Sequence, residues 1–268
     1  MANTASRPDA APQPGDSYVQ SFARGLEVIR SFSADSPEQT LSEVAARSGL
    51  TRAGARRILL TLQTLGYVHS DGKHFRLTPR ILDLGFAYLS SMPIWNIAEP
   101  VMEQLAERVG ESCSAAVLDG SEIVYVMRVH THKILSLNLG VGSRLPAYCT
   151  SMGRLLLSGL PDAEAEQRLR GSELRARTRH TLTALPDLMA RVREAREQGW
   201  CLVDQELEEG LISMAAPVFD KTGAVVAALN ISGQANRSDA PAMQREMLPA
   251  LREAAQTITR LLRAAGAR

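Results

Sequence analysis

The chain has 268 residues, 45% apolar and 22% charged, with a formal net charge of +1. That length leaves room for two modest domains, and the composition excludes a chain that is disordered throughout or drawn to nucleic acid by overall charge. The longest charge-free stretches, 84–98 and 222–236, are broken by Ser, Asn, Pro or Gly and fall short of a spanning helix, so no membrane partner is expected.

Residues 1–16, rich in Ala and Pro and lacking an apolar core, read as a disordered tail rather than a secretion signal, which makes the cytoplasm the expected location. From 17 to 32 the apolar Val19, Phe22, Leu26, Ile29 and Phe32 recur at helical spacing. A second helix is predicted from Thr40, where Thr40 and Glu43 have capping-box spacing, to the Ser48-Gly49 turn. Thr51 can cap a third helix, with Ala55, Ile58, Leu59, Leu62 and Leu65 on one face and Arg52, Arg56 and Gln63 on the other. Two short alternating runs, 67–70 and 74–78, flank Asp71-Gly72 and predict a hairpin. Three helices and a hairpin make a winged helix-turn-helix, placed at 17–78.

Charge supports this reading. Between Thr40 and Arg80 stand seven basic and two acidic side chains, a local +5 against −4 for the rest of the chain, as expected of a module that meets phosphates. The Thr51 end of the third helix would enter the major groove of double-stranded operator DNA. Arg52 and Arg56 are then candidates for base edges or phosphates, and Arg57, Lys73 and Arg76 for backbone phosphates. The competing reading is a small helical bundle with solvated arginines.

Pro79 can open a linker helix, so 79–93 separates the first domain from a second at 94–265. The linker's apolar Leu82, Leu84, Tyr88 and Leu89 exceed what one small domain needs to bury, and a homodimer is the minimum assembly expected. The second domain should begin with an amphipathic helix on Ile97, Val101, Leu105 and Val109. Strands follow at 112–118, 122–129 and 134–139, helices at 152–158, 162–170 and 186–198, strands at 200–204, 212–219 and 224–232, and a closing helix at 241–262. Grouped strands among helices predict an α+β fold with a largely antiparallel sheet.

Thr150-Ser151-Met152-Gly153 precedes an apolar helical run, and free amides at a helix start attract carboxylates, although an ordinary capped helix looks the same. Arg128 and Arg144 are possible counter-charges. No G-x-S-x-G, P-loop, complete G-x-G-x-x-G or H-E-x-x-H motif occurs, so neither an enzyme nor a cofactor is expected. Cys113, Cys149 and Cys201 form no close pair and read as reduced thiols; His130 and His132 lack a third ligand for a metal site. The reading is a ligand-responsive DNA-binding transcription factor. Its rival is a small-molecule-binding or enzymatic GAF-like protein with a vestigial helix-turn-helix.

The segment TLSEVAARSGLTRAGARRILLTLQTLGYV and the later GWCLVDQELEEGLISMAAPVFD resemble the IclR family of bacterial transcriptional regulators, over residues 18–262. The second matches through Gly199, Glu206, Ser213, Met214, Ala215, Val218, Phe219 and Asp220, and departs at Val203, where Asp or Ser is usual. The resemblance implies an N-terminal winged helix, a linker helix and a GAF-like effector domain, assembled as a dimer of dimers. THKILSLNLGVGSRLPAYCTSMGRLLL is most similar to regulators of the β-ketoadipate pathway, which sense aromatic acids such as protocatechuate or 4-hydroxybenzoate, or the pathway's intermediates. Ile212 stands where that branch often has Arg. By matching positions, Ser151 and Met152 would offer backbone contacts to the effector, Ser213, Asn230 and Ser232 polar ones, and Ile134, Leu137, Leu145 and Leu211 apolar walls.

Overall fold

The computed structural model describes residues 15, 18–91, 94–130, 139–237 and 239–265. The chain divides into two compact units, Met1–Tyr88 and Leu89–Arg268.

In the first unit α1 (Gln20–Arg30), α2 (Leu41–Arg47) and α3 (Arg52–Thr64) surround a small core of Val28, Val44, Ala45, Ala55, Leu59, Leu62 and Val68. The boundaries are chemical. Thr40 accepts from the Glu43 amide while the Glu43 carboxylate accepts from the Thr40 amide at 2.7 Å, closing the expected capping box. Gly49 turns the chain between α2 and α3 at φ +66°, a conformation costly for any residue with a Cβ. Thr51 then caps α3 by accepting from the Gly54 amide at 3.1 Å. The hairpin forms from β2 (Val68–Ser70) and β3 (His74–Leu77), with Asp71 Oδ1 accepting from the amides of Lys73 and His74 at 2.8 and 2.7 Å. A third strand, β1 (Glu38–Thr40), pairs with β3, giving the order β1-β3-β2. The sequence reading takes this polar segment as a break between helices; three residues carry no alternation, and only β3 makes them a strand. The linker starts as a 3-10 turn at Pro79–Ile81 and continues as α4 (Leu82–Ser90).

The second unit is built on one antiparallel sheet of six strands in the order β6-β5-β4-β9-β8-β7. These are β4 (Ser112–Asp119), β5 (Glu122–Val129), β6 (Arg144–Pro146), β7 (Cys201–Asp204), β8 (Leu211–Phe219) and β9 (Val225–Gln234). The expected strand at 134–139 lies almost wholly outside the described residues; Leu139 is described and is not in a strand. The helices α5 (Ile94–Val109) and α9 (Ala240–Ala264) cover one face, and α6 (Ser151–Ser158), α7 (Asp162–Arg170) and α8 (Leu185–Gln198) the other.

Both faces are covered, so the strands alternate between two cores rather than between core and water. Cys113, Ala115, Ile212, Met214, Ala227, Leu229 and Ile231 turn toward α5 and α9. Their neighbours Ala116, Ala215 and Ala228 turn toward α6. Small residues there let α6 lie close to the sheet, and α6 also packs tightly on the turn that precedes it, where a Cβ on Gly153 would fall 2.3 Å from both Ala147 Cα and Ala147 O.

Candidate functional site

Two surfaces carry the expected site residues. In the first unit Thr51, Arg52, Arg56, Arg57, Lys73 and Arg76 are all exposed. Arg52 and Arg56 share a cleft with Lys73, Ser42 and Ser70, so the start of α3 and the hairpin tip present their cations together. The other candidates differ. Arg57 borders a separate apolar groove with Phe22, Leu26 and Ile58, and Arg76 pairs with Glu38 at 3.2 Å across the β1-β3 ladder. Gly54 has open space around it except for the Thr51 hydroxyl 3.2 Å from an added Cβ, so it keeps the α3 start narrow beside its cap.

The second surface is a pocket between the sheet and the start of α6. Strand register explains why polar groups collect there. Ser112, Ser232 and Ser213 lie side by side across β4, β9 and β8, and in the next row Arg128, Ser114 and Asn230 lie across β5, β4 and β9. Every one belongs to the face turned toward α6. Burying such a row is costly unless it is hydrogen-bonded. Asn230 Oδ1 accepts from the Ser114 amide at 3.1 Å, Asn230 Nδ2 donates to the Ser232 hydroxyl at 3.0 Å, and the Ser151 and Ser213 hydroxyls share a hydrogen bond at 2.9 Å. Above this row stands the α6 N-terminus. Thr150 caps it by accepting from the Gly153 amide at 3.2 Å, while the amides of Ser151 and Met152, the first two of the helix, have no acceptor within it.

Of the nine expected effector residues, Ser151, Met152, Leu211, Ser213, Asn230 and Ser232 line this pocket. Ile134 and Leu137 lie outside the described residues. Leu145 is a correction: it sits on the edge strand β6, paired with Ile123, and its side chain fills the core beneath α6 instead of the pocket. Arg144 is another, since it is committed to Asp119 at 2.7 Å and Glu122 at 2.8 Å at the far side of β5. Ile212 belongs to the core under α5 and α9, so its departure from the β-ketoadipate branch does not touch the pocket. Leu89, expected to be surplus apolar surface on the linker, packs against that same core.

Tyr125, Thr150, Leu139 and Leu207 also line the pocket, as does Arg128. Tyr125 and Arg128 are three residues apart, a spacing that simple alternation assigns to opposite faces. A register shift opposite Ala115 and Ala116 leaves Val126 as the extra residue and brings both side chains to one side. Burial pushes the Tyr125 phenol up to about 12, with Arg128 opposing, and burial lowers Arg128. Arg128 Nε donates to His130 Nδ1 at 3.4 Å.

The three cysteines are not set up for nucleophilic chemistry. Burial raises the Cys149 thiol to about 11 and Cys201 to about 12, and raises Cys113 as well, so the three thiols stay protonated at neutral pH. Among the described residues no three His, Cys, Asp or Glu side chains could share a metal ion, and no helix is long and apolar enough to cross a membrane.

A winged helix-turn-helix with Arg52, Arg56 and Lys73 gathered in one cleft at the start of α3, carried on one chain with a domain enclosing a polar-lined pocket, defines a ligand-responsive transcriptional regulator. Comparison with known proteins narrows the class. Residues 21–72 match the IclR helix-turn-helix domain, and residues 86–260 match the bacterial transcriptional regulator IclR C-terminal domain. The chain belongs to the IclR family. It is 41% identical over 242 residues to the Pca regulon regulatory protein of Pseudomonas putida, covering 90% of this chain and 83% of that protein. A crystal structure of a Rhodococcus sp. RHA1 protein superposes with a TM-score of 0.82 at 48% identity, covering 91% of this chain and 98% of that one. An IclR homolog from Microbacterium hydrocarbonoxydans, complexed with 4-hydroxybenzoate, superposes with a TM-score of 0.81 at 26% identity, covering 91% and 100%.

Proposed function

We propose that this regulator binds operator DNA as a homo-oligomer in the cytoplasm and changes its affinity when a small aromatic acid occupies the pocket. The observation that carries the effector class is the polar row of Ser213, Ser232, Asn230 and Arg128, buried at Ser213 and Asn230, facing two helix-start amides with no acceptor in the helix. An acid satisfies those amides through its carboxylate, while Ser213, Asn230 and Ser232 receive a hydroxyl or second acid group at the other end. Met152 and Leu211 flank the ring. The Pca regulon protein and the 4-hydroxybenzoate complex among the relatives support the same class.

At the DNA, Arg52 and Arg56 read base edges from the major groove, with Thr51 at the helix start, and Arg57, Lys73 and Arg76 hold phosphates. Oligomerisation draws support from apolar surface in the first unit, where Leu82, Phe86, Val19 and Phe22 are all more than 60% exposed. The protein is not an enzyme in this reading. Titration calorimetry of the full chain with protocatechuate, 4-hydroxybenzoate, β-ketoadipate and their amides tests the effector. Acids should bind and amides should bind far worse; equal binding of amides removes the anion site.

A further inference from the structure

Arg154 and Glu206 form an ion pair inside the second unit that plays no direct part in the ligand contacts above. They are 2% and 7% exposed, and the guanidinium donates to both carboxylate oxygens, at 2.6 and 2.5 Å. Each end is anchored again. Arg154 Nε donates to the Tyr148 carbonyl at 2.8 Å, and Glu206 Oε2 accepts from the Leu182 amide at 3.0 Å. The pair therefore ties together three segments distant in sequence.

One segment, 148–154, ends in the α6 start that floors the pocket. Another, 205–211, contributes Leu207 and Leu211 to its wall. The third, 178–182, braces the second, because the Thr178 hydroxyl donates to the Gln205 carbonyl at 2.7 Å and the Thr181 hydroxyl to the Glu206 carbonyl at 2.6 Å. The wall segment is not a relaxed turn. Gln205 has φ +57°, the left-handed region that non-glycine residues seldom occupy, and holds it by donating to the Leu211 carbonyl at 2.8 Å and accepting from the Gly210 amide at 3.0 Å.

A buried ion pair is a poor source of net stability, since desolvation consumes most of the attraction and apolar replacements of similar volume are often as stable. Its value lies in fixing one arrangement. The geometry also keeps the Glu206 charge neutralised by Arg154, so that the Glu206 carboxylate does not compete for the helix-start amides. We infer that Arg154 and Glu206 are positioning residues for the effector: a clasp that holds the 205–211 wall against the α6 start and sets the shape of the pocket. The inference rests on the reading that the pocket takes a small acid.

The test uses the full chain, with Glu206→Gln, Arg154→Met and the double variant R154M/E206M. Three quantities are read: urea stability, amide hydrogen exchange across 205–211 without ligand, and the Kd for 4-hydroxybenzoate. Each single variant should lose stability, because it strands the partner's charge or breaks its bonds, and the double variant should recover most of it. Recovery of stability should not restore the clasp. Exchange across 205–211 should be about tenfold faster, and Kd about tenfold weaker, in the double variant than in the wild type. Wild-type exchange and wild-type affinity in a stable double variant would reduce the pair to a core filler and overturn the inference. If the wild type binds none of the acids, exchange still decides: faster exchange keeps the clasp while the acid reading falls, and unchanged exchange removes the clasp. Should the clasp variants fail to fold, Thr181→Val removes the brace on the Glu206 carbonyl together with the acceptor of the Arg177 and Thr178 amides; faster exchange at 205–211 supports the clasp, and unchanged exchange overturns it.

Discussion

Replacing Gly153 by Ala puts the contact between α6 and the preceding turn under direct strain. The new Cβ would lie 2.3 Å from Ala147 Cα, 2.3 Å from Ala147 O and 2.6 Å from Thr150 Oγ1. Two of these are backbone atoms, which cannot swing aside, so the first turn of α6 must withdraw by about 1 Å to reach ordinary contact. Overpacking of this kind costs about 3 kcal/mol at the upper end of its usual range. Disturbing the Thr150 cap adds about 1 kcal/mol, and the better helix propensity of Ala returns about the same amount. The expected net loss is about 3 kcal/mol. Both tryptophans, Trp95 and Trp200, lie in the second unit, so urea denaturation followed by Trp fluorescence reports on it selectively. The same withdrawal moves the Ser151 and Met152 amides out of the pocket, and affinity for 4-hydroxybenzoate should fall with stability. A variant within about 0.5 kcal/mol of the wild type, the range of neutral surface changes, would refute the close approach of α6 to Ala147.

Arg52→Ala or Arg56→Ala should weaken operator binding by about 1–3 kcal/mol if the lost contact is bidentate to guanine, whereas Lys73→Ala should weaken all DNA alike and lower the salt slope by about 0.9; unchanged titrations for both arginines would remove α3 from the groove. Asn230→Ala strands the Ser114 amide and frees the Ser232 hydroxyl, costing about 1–3 kcal/mol of stability and weakening the acid response, which calorimetry and urea titration check together. The hairpin should be acid-sensitive. The amides of His74 and then Lys73 hold the Asp71 carboxyl down at about 2, below its ordinary 3.8, so its contribution is complete above pH 4 and lost as pH falls through about 2. An NMR titration of the His74 and Lys73 amides should show this loss in the wild type and not in Asp71→Asn; flat shifts in the wild type would contradict it.

Features written in a few adjacent residues were legible in the sequence. The Thr40/Glu43 box, the Gly49 turn, the Thr51 cap and the Asp71 hairpin need only their own neighbours, and each appears where the residue pattern puts it. The strands β1 and β6 were not legible, because three residues carry no period and take their conformation from β3 and β5. The pocket was half legible. Ser213, Asn230 and Ser232 on β8 and β9 were named through the family resemblance, but the extra residue Val126 hid the approach of Tyr125 and Arg128, and nothing local separates Leu145 in the core from a pocket wall. The Arg154–Glu206 pair spans 52 positions and is set by tertiary packing alone.

The central claim is that one chain couples acid binding to DNA binding, and operator affinity with and without the acid tests it most directly. DNA selected from a random library by the full chain supplies the operator, and its Kd is measured at fixed salt with no ligand, with saturating 4-hydroxybenzoate, protocatechuate or β-ketoadipate, and with the corresponding amides. Coupling between two sites in one protein amounts to about 1–3 kcal/mol, so at least one acid should shift the operator Kd by about fivefold or more while its amide leaves it in place. Selection of no preferred sequence, or an operator Kd identical under every acid, would contradict the account.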